Sequence, residues 1–254
     1  MIKIVVPISG GKDSQACLKL ALQEYDKNQI LGLFCDTQFE HPLTYSHINI
    51  IRELYGVKII KISAGSVPEI VLKTKQFPGG IRRLCTDRLK IVPSKKFYTE
   101  LQKQQGHGFQ VWLGMRIQES SARSRAYSGF NDNELYAPHD FGKGFPKYLE
   151  KLGVMFRLPV VTWSENDIFN FLCGEQNILY SQGEKRVGCF PCLASSDFNK
   201  ERNFNYDDFG RSQRIIVSEL EKKIGRSVWN SKAGALRNNE NQDDIFNGCT
   251  FCAI

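Results

Sequence analysis

The stretch Ile4-Val5-Val6-Pro7-Ile8-Ser9-Gly10-Gly11-Lys12-Asp13-Ser14 limits what this chain can fold into more than any other. An apolar run breaks at two glycines and passes directly into a helical pattern, which reads as strand, tight loop and helix. Glycines at such a junction let the backbone approach a ligand. The amides of the loop and first helical turn then converge where the helix dipole favours negative charge. A phosphate suits that spot. Lys12 adds a mobile cation, Ser9 and Ser14 add hydroxyls, and Asp13 is placed to orient the loop or approach a magnesium ion carried by a nucleotide. The pattern is not Walker A, because Asp13 follows Lys12 where that motif requires Ser or Thr.

Downstream, apolar runs alternate with helical patterns. A helix is predicted over 15–25, a strand from Ile30 to Cys35 ending at Asp36-Thr37, a helix over 44–55 and a strand from Val57 to Ile62. A helix over 95–105 and a strand from Gln110 to Gly114 follow. This order predicts right-handed crossovers and a parallel α/β sheet covered by helices on both faces, with ligands at the carboxyl ends of the strands. Residues 128–147, rich in Gly, Asn, Asp and aromatics, predict an extended loop over the active-site face. Ser164 and Asp167 predict a capped helix start. Periodicity puts Cys17 and Cys173 in the core, and His41 beside Pro42 on an exposed loop.

With 254 residues and 41% hydrophobic content, a full core is available to one large domain with a smaller appendage. The division expected is an α/β domain over 1–175 and a Cys-rich region over 176–254. The 34 Lys and Arg against 27 Asp and Glu give a formal charge of +7, which favours a polyanionic partner. Arg211, Arg214, Lys222 and Lys223 form the densest downstream cluster. Without a signal-peptide pattern or an apolar run of membrane-spanning length, a soluble cytoplasmic protein with no membrane partner is expected. Among eight cysteines, the pairs Cys189-x-x-Cys192 and Cys249-x-x-Cys252 then point to metal or redox chemistry rather than disulfides. Four thiolates suit an iron–sulfur cluster, with four irons and four sulfides expected, or zinc. Cys85 lies among Arg82, Arg83, Arg88 and Lys90, and nearby cations lower a thiol pKa. It is the cysteine expected to carry a persulfide or attack an activated substrate.

Four motifs occur in one order: Ser9-Gly-Gly-Lys-Asp-Ser14; Asp36-Thr37-Gln38-Phe39-Glu40-His41-Pro42; Gly114-x-Arg116-x-x-Glu119-Ser120-x-x-Arg123; and Tyr180-x-x-Gly183-x-x-Arg186-Val187-Gly188-Cys189-x-x-Cys192. Together they resemble the phosphoadenylylsulfate (PAPS) reductase family of PP-loop ATP pyrophosphatases, from Ile4 to about Cys192. The resemblance implies an adenine-nucleotide alpha hydrolase-like, Rossmann-like fold that splits ATP into AMP and pyrophosphate. It implies ATP contacts from Ser9, Gly10, Gly11, Lys12, Asp13, Ser14, Asp36, Gly114 and Arg116, with Lys12, Asp13 and Cys85 in catalysis.

Three departures qualify it. Gln38 replaces a usual glycine, Cys85-Thr86 replaces the Cys-Cys pair of the iron–sulfur reductases, and the chain ends Gly-Cys-Thr-Phe-Cys-Ala-Ile rather than in the reductases' Glu-Cys-Gly-Leu-His tail. The expectation is therefore an ATP pyrophosphatase in sulfur transfer, closest in character to the Dnd and Ssp DNA phosphorothioation systems. Its expected partners are ATP, a sulfur donor such as a cysteine desulfurase, and DNA. The alternatives are a PAPS or adenylylsulfate reductase, a tRNA thiolation enzyme, and a nucleotide-sensing, zinc-stabilised module without turnover. Following the reductases, Cys85 would instead join Cys189 and Cys192 as a ligand.

Overall fold

A computed structural model describes residues 1–79, 84–141 and 144–229. Its centre is a five-stranded, wholly parallel sheet in the order β3-β2-β1-β4-β5. The strands are β1 (Ile4–Pro7), β2 (Ile30–Asp36), β3 (Lys58–Ser63), β4 (Phe109–Trp112) and β5 (Val154–Arg157). The helices are α1 (Lys12–Glu24), α2 (Pro42–Tyr55), α3 (Val67–Thr74), α4 (Val92–Gln105), α5 (Ser121–Tyr127), α6 (Glu165–Leu172), α7 (Asp197–Phe204) and α8 (Asp208–Ile224).

The period-2 geometry of β1 explains the two-sided core. Ile4 and Val6 join a cluster with Ala16, Leu18, Ile48, Trp112 and Ile168, whereas Val5 joins Leu33, Tyr98, Val111 and Phe156 on the opposite face. Both faces of the strand are therefore dry, as parallel strands require. Strand order reverses between β1 and β4, and their carboxyl ends flank the crevice where open α/β sheets bind ligands.

Helix α4 follows a π-helical turn, Asp87–Ile91. Pro93 has no N–H for the Leu89 carbonyl and its ring crowds that oxygen, and the widened turn relieves both. It also brings Lys90 to the crevice. A third cluster joins Phe39, Val71 and Leu89 to Leu193, Phe204, Val217 and Leu220, so the last helices share apolar contacts with α3 and the end of β2.

Several expectations need correction. Described residues of 128–147 do not cover the site; Phe130, Tyr136, Phe141 and Phe145 form an aromatic stack around Phe156, and Tyr136 bridges Phe156. Their tilted and edge-on contacts pack large rings without helical or strand periodicity. Cys173 is exposed, because α6 ends there in the left-handed conformation at φ 52°. His41 is buried instead of exposed. Its Nδ1 accepts the Leu43 amide to cap α2, so Nε2 carries the proton toward Asp207 at 2.8 Å, and Phe190 and Phe209 pack edge-on against the ring. The capping box of Ser164 and Asp167 is present as expected.

Candidate active site

At the end of β1 the chain turns through Gly10 at φ 76°, where a Cβ would stand 2.6 Å from Thr44 Cγ2. Only glycine fits both constraints. The loop is then tied by hydroxyls: Ser14 Oγ donates to the Gly11 carbonyl at 2.9 Å and accepts from the Ser9 amide at 3.2 Å. The Lys12 amide, at the first turn of α1, donates to Tyr180 Oη at 3.1 Å, and the Lys12 ammonium lies 4.6 Å from that ring's centre and 2.9 Å from Glu165. Gly114, after β4, packs on the same turn. A Cβ there would come within 2.7 Å of the Asp13 and Ser14 backbone, so this glycine is required by helix–strand contact rather than by ligand approach alone.

A cavity of about 550 Å³ opens over this turn, within the usual range for small-molecule sites. Its cationic wall is held by carboxylates. Arg116, 3% exposed, places Nε 2.5 Å from Asp13 Oδ1. Glu119 takes Arg123 on one oxygen and Arg186 on the other. Burial, reinforced by the positive charge of Arg186, pulls the Arg123 guanidinium down to about 9, so it stays charged at neutral pH. Fixed, desolvated guanidiniums of this kind recognise phosphate oxygens in pairs.

Thiols occupy another part of the same wall: Cys85, Cys189 and Cys192 all line it, beside Thr37 and Lys90. Backbone pairing sets Cys189, since Glu40 bridges Cys189 and the Phe190 amide donates to the Phe39 carbonyl at 2.7 Å. Glu40 Oε1 accepts from Thr37 Oγ1 at 2.6 Å, and Cys189 Sγ lies 3.2 Å from that hydroxyl and 3.8 Å from Oε1. Burial, then the Glu40 charge, push the Cys189 thiol well above its ordinary range. For Lys90, burial pulls the ammonium down, but Cys189, Glu40, Cys35 and Cys85 together outweigh it and hold the group above its ordinary value.

Of the residues singled out in the sequence, Ser9, Gly11, Lys12, Asp13, Ser14, Cys85, Gly114, Arg116, Cys189 and Cys192 meet at this cavity. Gly10 shapes the loop from behind. Asp36 does not line the cavity: its carboxylate accepts from the Gln38 amide at 2.8 Å and from Tyr45 at 2.7 Å, and it pairs with Lys61 at 3.2 Å. These hydrogen bonds hold Gln38 at φ 54°, the left-handed conformation for which the family uses glycine. Cys249, Cys252, Arg82 and Arg83 lie outside the described residues. The soft thiols suit iron or zinc chemically, yet among the described residues no three His, Cys, Asp or Glu side chains come together as a metal site. Tyr180, Glu165 and Arg186 were not anticipated as site residues. Tyr180 and Arg186 sit in a motif quoted above, whereas nothing in the sequence distinguishes Glu165 from an ordinary first-turn acid.

Residues 3–195 match the phosphoadenosine phosphosulfate reductase domain, and the chain belongs to that family. An uncharacterized protein of Methanocaldococcus jannaschii is 30% identical over 194 residues, 75% of this chain and 36% of that protein. The adenosine 5'-phosphosulfate reductase of Rhodococcus erythropolis is 24% identical over 169 residues, 64% of this chain and 58% of the reductase. The chain thus spans only part of both relatives. The PAPS reductase of Candida auris, solved as a phosphate complex, superposes with a TM-score of 0.49 at 18% identity over 75% of this chain and 82% of that one. No helix among the described residues is long and apolar enough to cross a membrane.

Proposed function

We propose that this chain is an ATP pyrophosphatase that adenylates an acceptor for sulfur transfer. The observation that carries the reading is one cavity lined by a glycine-built, arginine-flanked phosphate cradle and by three thiols. The acceptor oxygen attacks the α-phosphorus of ATP, the α–β bond breaks, and pyrophosphate leaves toward Lys12, Arg116 and the loop amides. Asp13 orients Arg116 and stands near the position of the nucleotide's magnesium. A sulfur nucleophile then displaces AMP from the adenylated acceptor, and Cys85 is the residue assigned to deliver or guide it. In this reading Cys189, Cys192, Cys249 and Cys252 bind an iron–sulfur cluster or zinc, and no step depends on that group.

The finer reading assigns the acceptor to DNA, in a phosphorothioate modification, with a cysteine desulfurase as sulfur donor. It is supported by the +7 charge and by Lys222 and Lys223 in the last turn of α8. Arg211 and Arg214 are partly committed, to Asp208 at 2.6 Å and Glu201 at 3.0 Å. Reductase activity is the second reading, favoured by Cys85 lining the same cavity as Cys189 and Cys192, where the family's reductases have a ligand. Anaerobic purification with iron analysis separates them. The proposed assignment requires Cys85→Ser to keep the full metal content while losing sulfur transfer. Metal loss on that substitution, or sulfite release from adenylylsulfate by the parent, would favour the reductase.

A further inference from the structure

Besides the loop and the thiols, the cavity is lined by Ser195 and, on α7, by Asn199, Arg202 and Asn203. We propose that this wall is a separate subsite for a phosphate group of the acceptor, with Arg202 as its principal ligand. The inference rests on the adenylation reading and names the chemistry of its second substrate.

Arg202 is built into place rather than left on the surface. Its Nη2 donates to Glu184 Oε2 at 2.9 Å, and Asn203 Nδ2 donates to the same oxygen at 3.0 Å. Glu184 is 6% exposed, so this anchor is dry and fixes one corner of the guanidinium. One donor of the fork is left over: Nε is buried and has no hydrogen-bond partner among the described residues. Buried donors are almost always satisfied, so one left over beside a ligand-sized cavity marks where an acceptor atom belongs. The side chain is a third exposed and lines the cavity, which lets the fork adjust toward an incoming group.

The charge around the fork selects the ligand. Lys185 and Arg186 line the same cavity, while the carboxylates Glu184 and Glu119 are already engaged, Glu184 by Arg202 and Asn203 and Glu119 by Arg123 and Arg186. A neutral acceptor would gain little from that excess of cations. A phosphate supplies paired oxygens to the guanidinium and charge to the surrounding ammonium and guanidinium groups. Thiols Cys189 and Cys192 line the same cavity as Arg202.

The test uses the full chain loaded with a non-hydrolysable ATP analogue and magnesium, titrated with inorganic phosphate by phosphorus NMR. Loaded parent protein should bind phosphate, and Arg202→Lys, which keeps the charge but loses the fork, should bind it about tenfold more weakly. The affinity for the ATP analogue should change less than twofold. A short DNA duplex that competes with phosphate only when Arg202 is present would identify a nucleic-acid backbone as the source; competition by a mononucleotide alone would identify a small phosphorylated acceptor. Equal phosphate affinity in parent and Arg202→Lys, or no phosphate binding by the loaded parent, overturns the subsite. Failure of the ATP analogue to bind the parent overturns instead the adenylation reading on which it rests.

Discussion

The phosphate end and the thiol end of the cavity are assembled by opposite means. Residues Ser9–Ser14 form the first as one uninterrupted segment, and its hydroxyls, amides and glycine turn are fixed by local hydrogen bonds at 2.9 to 3.4 Å. The second is drawn from the end of β2, from the residues that lead into α4 and from the segment before α7, and Cys189 meets Glu40 across 149 residues of sequence. The electrostatics differ in kind as well. At the phosphate end, carboxylates stand directly against the buried cations, Asp13 against Arg116 and Glu165 against Lys12. At the thiol end, burial and the Glu40 charge raise the pKa of the metal-free Cys189 thiol. A backbone-built anion site needs only the right consecutive residues, whereas a reactive thiol must be tuned by tertiary neighbours.

The largest expected effect comes from breaking the paired charges. Arg116→Met leaves the Asp13 carboxylate without its buried partner, and should cost about 3 kcal/mol in urea unfolding together with most ATP affinity. A loss below about 1 kcal/mol would mean that the pair is solvated and that this end resembles an ordinary surface.

A smaller effect sharpens the contrast at the other end. In the protein stripped of metal, the form used for both measurements, removing the Glu40 charge takes away a force that raises the Cys189 pKa, so Glu40→Gln should lower it and speed alkylation of Cys189 at pH 8. The sign follows from linkage: a thiol whose folded pKa is raised stabilises the fold below the unfolded thiol pKa and loses that contribution as pH rises through and above it. The parent should therefore lose stability above about pH 9, and Glu40→Gln should show a weaker decline. An unchanged alkylation rate would show that burial alone tunes Cys189.

The smallest effect concerns the proposed DNA contact. Lys222→Ala with Lys223→Ala should leave the fold intact and reduce the salt slope of duplex binding by roughly one per lysine. An unchanged slope would remove these residues from the interface.

How much was legible follows the same division. The strands β1 to β4 announce themselves as apolar runs between helical patterns, and the loop Ser9–Ser14 carries its glycines and hydroxyls in one short segment, although Asn177 and Tyr180 from far along the chain also hold it. The aromatic stack around Phe156 does not announce itself, because rings packing in tilted and edge-on pairs obey no short sequence period. Nor does the burial of His41, which depends on Asp207 arriving from 166 residues away. The sequence places Lys12 toward a ligand but carries no local signal for its contact with Glu165, which depends on α6 closing against α1. Gln38 shows the limit of motif reading in the other direction. The residue departs from glycine while the turn persists, since Asp36, Tyr45 and Ser63 hold it in place.

The central claim is that Lys12 and the surrounding loop bind the phosphates of ATP for cleavage between the α- and β-phosphates. The direct measurement is product analysis of α-labelled ATP incubated with magnesium and either parent protein or Lys12→Ala, with circular dichroism confirming that both are folded. The account predicts AMP and pyrophosphate from the parent, and at least about a hundredfold less from Lys12→Ala, equivalent to losing roughly 3 kcal/mol of transition-state stabilisation. ADP and phosphate as products, or turnover by Lys12→Ala at the parental rate, would contradict it.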